Sequence, residues 1–216
     1  MANGQVTTGF SKPYVAKYTE ENGTVVYTDG MPLARGVDVN VEPESSENNN
    51  FYADNQVAES DSGKFTGGTV TLTVDGLKTA AERLVMGVPA AGEDGWTDYD
   101  DDQSIPDVGI GFIRRVMEGG RTYYIPYVLV RCTFAQIPIS AATQEEEIDW
   151  QTEEVSATIK RAGVGKHKWR SIGERQDTES AADEALRTKL GITDSGSETE
   201  TETETETETE TETGNG

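Results

Sequence analysis

Thiol and imidazole chemistry have little raw material in this chain, whose 216 residues include one cysteine, Cys132, and one histidine, His167. A lone cysteine excludes a disulfide framework and a thiolate metal site within one chain. Positive charge is scarce as well: 18 Lys and Arg stand against 40 Asp and Glu, a formal net charge of −22. A tight grip on nucleic acid needs cations that displace counterions, so specific nucleic-acid binding is not expected. Docking on anionic membranes is disfavoured for the same reason. No apolar window reaches transmembrane length, and the first five residues carry neither the basic nor the apolar region of a signal peptide. The expectation is a protein made in the cytosol with no membrane partner. Hydrophobic residues are 34 % of the chain, less than a globular average, and part of the shortfall lies in a final stretch that adds no core.

What is present is strand-like alternation. Val37, Val39 and Val41 alternate with Asp38, Asn40 and Glu42, and Val70, Leu72 and Val74 alternate with Thr69, Thr71 and Thr73. Each run reads as a strand with one dry and one wet face. Between them, residues 43–63 are polar apart from Phe51, Tyr52 and Val57, which predicts a hairpin with a long projecting loop of functional or disordered kind. Residues 14–18 and 24–28 flank the turn-like Glu21-Asn22-Gly23, and residues 108–117 and 121–136 flank Glu118-Gly119-Gly120, both read as hairpins. Residues 123–130 are apolar in both phases, as in a strand covered on both sides. A further strand region, 148–160, changes phase between Ile148 and Trp150 and the later Val155, Ala157 and Ile159, which predicts a bulge or break.

Helical signals are fewer. Asp75 is expected to cap a helix whose apolar stripe is Leu77, Ala80, Ala81, Leu84 and Val85, ending at Gly87 with Pro89 beyond. A second, short helix is expected to begin at Ser180 with Asp183 at the capping-box position and to end near Gly191. Residues 1–12 read as a flexible arm and residues 163–173 as a basic loop. From Glu198 to Glu212, eight glutamates alternate strictly with threonine. Neither face of that repeat is apolar and its charges repel, so residues 194–216 are expected to be disordered. Taking its eight charges from −22 leaves −14 on the remainder, a surface over which DNA would slide without sticking.

Catalytic and metal-binding patterns fail on inspection. Asp98, Asp100, Asp101 and Asp102 in the acidic loop 92–107 offer carboxylates to calcium. An EF-hand begun at Asp98 would need glycine and glutamate where Gln103 and Gly109 stand, so a solvated acidic loop is the better reading. A Cys132–His167 dyad is formally possible, but Cys132 lies in an apolar strand, where cysteine acts as a small hydrophobe. His167 sits among Lys166, Lys168 and Arg170, whose charge favours a neutral ring. Gly109-Ile110-Gly111 lacks the third glycine of a dinucleotide fingerprint. Like Gly67-Gly68, it reads as flexible or closely approached backbone. The basic run 160–170 holds five cations and is best matched with an acidic neighbour. No enzyme activity and no cofactor are expected.

Several spaced segments, in order, carry a resemblance. They are Phe51-Tyr52-Ala53-Asp54-Asn55, then Gly68-Thr69-Val70-Thr71-Leu72-Thr73-Val74-Asp75, then the helix end at Gly87. Val108-Gly109-Ile110-Gly111-Phe112, Tyr124 through Phe134, and Gln151-Thr152-Glu153 follow. Over roughly residues 10–170 the chain resembles the major tail proteins, or tail-tube subunits, of long non-contractile-tailed phages of Gram-positive bacteria. Residues 175–216 depart from that family. The resemblance implies a mainly β domain over 13–174, two packed sheets with one flanking helix; the short helix in 175–193 follows it and is read from its own residues. It also implies self-assembly into stacked hexameric rings that form a virion tail tube whose inner wall is a closed barrel. Its partners would be copies of itself, a tape-measure protein in the lumen, tail terminator and distal tail proteins at the ends, and DNA only in transit during ejection. On this expectation Phe51, Tyr52, Asp54, Asn55 and Val57 make subunit or ring contacts, and Asp38, Asn40, Glu42, Thr69, Thr71 and Thr73 face the lumen. Two other readings stay open: the tube subunit of a contractile tail or injection machine, and a calcium-dependent surface-binding β-domain.

Overall fold

The computed structural model describes residues 4–47, 49–61, 63–143 and 150–193. It is mainly β, with one large antiparallel sheet, one small sheet and two helices. The strands are β1 (Gln5–Glu21), β2 (Thr24–Pro32), β3 (Gly36–Ser45), β4 (Asn49–Ala53), β5 (Gln56–Asp61), β6 (Phe65–Val74), β7 (Val108–Glu118), β8 (Arg121–Phe134), β9 (Glu153–Lys160) and β10 (Arg170–Ile172). Helix α1 is Thr79–Met86 and helix α2 is Glu179–Lys189. The large sheet runs β2-β1-β7-β8-β9-β6-β3, with β10 also paired to β8, while β4 and β5 form the small sheet.

The tight hairpins follow from local chemistry. β1–β2, β4–β5 and β7–β8 each turn on two residues with positive φ: Asn22-Gly23, Asp54-Asn55 and Gly119-Gly120. Glycine, Asn and Asp tolerate that conformation, whose twist matches the flanking strands. The two expected layers are the two ends of one continuous sheet, folded so that a single face of β1, β6, β7, β8 and β9 converges on one core. Val15, Val70, Leu72, Ile110, Leu129, Cys132 and Ile159 lie there, with Ala81, Val85 and Met86 of α1. Phe10 of β1 and Val39 and Val41 of β3 close over it from either edge. A second cluster lies on the opposite face of β1, β7 and β8, where Ala182 and Leu186 of α2 and Leu190 at its C-cap cover Tyr14, Ile113 and Val128. This explains the two apolar phases of β8: Leu129 faces the main core, and Val128 faces α2.

Several expectations are corrected. Residues 5–11 are no loose arm but the start of β1, paired with β7 from Gln5↔Glu118 to Ser11↔Ile113. The polar excursion 43–63 contains its own hairpin, β4–β5. Asp75 does not cap α1: Lys78 occupies the N-cap without a side-chain bond, and Asp75 instead accepts from the Arg35 backbone N–H (2.9 Å) and pairs with its guanidinium. Helix α2 starts one residue earlier, with the Thr178 hydroxyl accepting from Ala181 N at 3.3 Å, whereas Asp183 accepts a 2.8 Å bond from the Tyr14 hydroxyl. Tertiary partners thus claim both aspartates that local pattern assigned to caps. The α1 terminus is as expected, with Gly87 left-handed at φ 68. The basic loop also holds a short strand, β10, paired with β8 from Arg170↔Leu129 to Ile172↔Tyr127. Ile148 and residues 194–216 lie outside the described residues. β9 begins only at Glu153, after the exposed Trp150.

Candidate assembly surfaces

β3 and β6 pair in the order Asp38↔Thr73, Asn40↔Thr71, Glu42↔Thr69, with Val39↔Leu72 and Val41↔Val70 between. Directly opposed residues share a face, so the six polar residues form one surface. Val70, Leu72 and Val74 are buried behind it and Val39 and Val41 are half-buried. Val37 departs from the pattern. A register irregularity between Gly36 and Asp38 releases it to 56 % exposure, so it does not pack on the core with its neighbours. Asn40 donates to Glu42 at 2.9 Å along the strand. The polar surface extends one strand further than expected, because β9 adds Glu154, Ser156 and Thr158 opposite Thr73, Thr71 and Thr69. Their signal was in the sequence: Val155, Ala157 and Ile159 alternate with them.

The β3–β6 ladder ends at a closed base, where Ser46 N donates to Lys64 O at 2.8 Å and Lys64 N donates to the Ser46 hydroxyl at 2.9 Å. Beyond it stands the β4–β5 hairpin. Phe51 on β4 and Val57 on β5 are 63 % and 52 % exposed, Asp54 and Asn55 make its turn, and Tyr52 pairs through its backbone with Val57. All five expected contact residues thus fall on this one hairpin by backbone placement alone: Phe51 and Tyr52 on β4, Asp54 and Asn55 in the turn, and Val57 on β5. Two-stranded hairpins are marginal in water without a surface to pack on, and exposed apolar side chains on such an element call for one.

Other surfaces were not legible in the sequence. β2 and β3 end the large sheet, so each has one edge without a strand partner among the described residues. Val6 and Met117, a directly paired couple on β1 and β7, are both exposed. In the mouth between β3 and β7–β8, a cleft of about 230 Å³ is lined by Val39, Val41, Phe112, Arg114, Tyr127, Leu129 and Arg170. The Arg114 guanidinium lies over the Tyr127 ring. Its buried Nε finds no hydrogen-bond partner among the described residues.

The candidate chemical groups are not brought together. Cys132 is fully buried in the main core, and that burial pushes its thiol well above the usual range. His167 is exposed, with Nδ1 2.9 Å from the Ala162 carbonyl. Gly109 and Gly111 serve close packing: a Cβ on Gly109 would enter the Tyr27 ring, and one on Gly111 would meet Leu190 Cδ1 at 2.6 Å. Among the described residues no three His, Cys, Asp or Glu side chains converge as metal ligands, Asp98 to Asp102 included. What the fold defines is a mainly antiparallel β protein whose large sheet ends in β2 and β3 and which carries a small separate hairpin with exposed Phe51 and Val57 on its strands. No protein-family model matches the chain, and no curated protein matches it.

Proposed function

We propose that this protein is a structural subunit that self-associates through its sheet edges and hairpin, in the manner of a phage tail-tube protein, and has no catalytic role. The observation that carries the reading is the β4–β5 hairpin, held on a hydrogen-bonded base and offering Phe51 and Val57 to a second copy. The open edges of β2 and β3 support it, since edges exposed in a monomer can be paired in a ring. So does the acidic and threonine-rich face of β3, β6 and β9, whose chemistry repels a passing polyanion. On this reading the subunits form hexameric rings stacked into a virion tail tube. A tape-measure protein fills the lumen, terminator and distal tail proteins close the ends, and DNA passes through without being bound. No helix among the described residues is long and apolar enough to cross a membrane, which suits the proposal without requiring it. Sedimentation and negative-stain microscopy of the purified chain across concentration test it. Rings or hollow tubes are expected, and a monomer at every concentration and salt would overturn it.

A further inference from the structure

A cleft of about 410 Å³ lies between β2, the loop after β9 and the end of α2. Its lining includes three cations, Lys166, Lys168 and Lys189, and no acidic residue. That is unusual in a chain of net charge −22. All three lysines are exposed, and none has an ion-pair partner among the described residues. Glu20 on the neighbouring strand is engaged elsewhere, accepting from Gly163 N at 2.6 Å and from the Tyr18 hydroxyl. Hydroxyls from Thr24, Ser171 and Thr188 and apolar surface from Val25, Val130 and Val164 complete the lining.

The occupant is indicated by where the chain goes next. Gly191 lines the cleft, the described residues end at Thr193, and the Thr-Glu repeat begins at Glu198. Five extended residues reach about 17 Å, and the repeat itself spans about 50 Å. It can therefore fold back along a cleft that starts beside its own root. Alternation gives it matching chemistry. In an extended chain every glutamate projects to one side, about 6.6 Å from the next, and every threonine methyl to the other. One side suits the lysines and the other the valines.

We propose that this cleft is the docking site of the chain's own Thr-Glu repeat, held by ion pairs from Lys166, Lys168 and Lys189. Tethering makes the encounter intramolecular, at a local concentration in the millimolar range, so individually weak surface pairs act together. The consequence is that the repeat covers a cationic face and keeps other polyanions off it. The inference is independent of tube assembly, because it concerns the monomer.

Zero-length carbodiimide cross-linking of the monomeric full chain, as a mixture of 15N-labelled and unlabelled protein, tests it. The expected result is glutamates 198–212 bonded to Lys166, Lys168 and Lys189 within one isotopic chain, several-fold above Lys12, Lys17 and Lys78. Those bonds should fade at about 0.5 M salt, where the screening length drops to a few ångströms, and in the K166E/K168E/K189E variant. As a second measurement, truncation after Asp194 should raise the acetylation rate of the three lysines several-fold. Bonds spread evenly over all lysines, bonds mainly between isotopic chains, or lysine acetylation unchanged by truncation would overturn the proposal.

Discussion

Asp107, at the entry to β7, ties three strands together, two through its carboxylate and one through its backbone carbonyl. It accepts from Arg131 Nε at 2.7 Å and from Thr133 on β8, and pairs with Lys160 of β9 at 3.1 Å, while its carbonyl accepts from Tyr18 of β1. Partial burial opposes ionisation, but the bonds from Thr133, Arg131 and Lys160 outweigh it and hold the carboxyl below its usual range. A lowered folded-state value means the stabilisation is complete above the unfolded-state value, about 3.9, and is lost as pH falls through the folded one. Asp107→Asn should therefore cost about 1–3 kcal/mol in urea unfolding at neutral pH, with the more exposed Lys160 pair contributing least. The penalty should shrink as the medium is acidified below pH 4; a penalty that does not change with pH would count against the charge as its source. Cys132 yields a simpler outcome. Buried and held as the thiol, it should resist iodoacetamide at neutral pH until urea unfolds the chain, and labelling in native buffer at the rate of a free thiol would contradict the fold at that point. Asp107 was not singled out in the sequence, since nothing local marks an aspartate whose partners lie 24 to 53 residues away. Cys132 was legible because apolar neighbours on its own strand already announced a dry site.

At the scale of elements, alternation carried most of what could be read. The faces of β3 and β6 and both turn-bounded hairpins follow from period-2 pattern and turn chemistry, and Gly87 from its place at a helix end. Pairing partners did not follow. β1 begins nine residues earlier than its apolar pattern because β7 lies beside it, and β4–β5 hides in a polar stretch whose strands face water on both sides. At Gly68 the β3 backbone comes close: a Cβ there would run into the Glu42 carbonyl and lie 3.0 Å from Pro43 Cα, whereas one on Gly67 has no neighbour closer than 3.7 Å. Gly68→Ala should thus destabilise by about 1–3 kcal/mol and speed amide exchange at the β3–β6 base, with Gly67→Ala close to neutral. Equal effects from the two would remove the backbone clash as the cause. The hairpin beyond that base is separable. Replacing residues 47–63 by Asn-Gly, joining Ser46 to Lys64, should leave the urea midpoint of the monomer unchanged and abolish rings and tubes. Tubes from that variant would rule out the hairpin as an assembly contact.

For the whole molecule, the proposed self-association raises the question of how subunits this acidic would come together. Each carries a formal −22, of which eight charges belong to the repeat between Glu198 and Glu212. Repulsion among like-charged copies opposes assembly over a range set by salt, about 8 Å at physiological ionic strength and about 30 Å at 0.01 M. On the proposed reading, apolar contacts at Phe51 and Val57 and backbone pairing along β2 and β3 would have to overcome that repulsion. Ordering a residue costs roughly 1–2 kcal/mol of backbone entropy, and the repeat has no apolar side chain to offset such a cost inside a tube wall. A place in the lumen would also crowd its glutamates where a polyanion has to pass. The repeat is therefore expected on the outside and dispensable for assembly. Truncation after Asp194 should leave rings and tubes of unchanged diameter and shift the salt needed for half-maximal light scattering downward. Failure of the truncated chain to polymerise would give the repeat a structural place in the wall. So would full resistance of the repeat, in assembled full-length protein at high salt, to a protease that cleaves after glutamate.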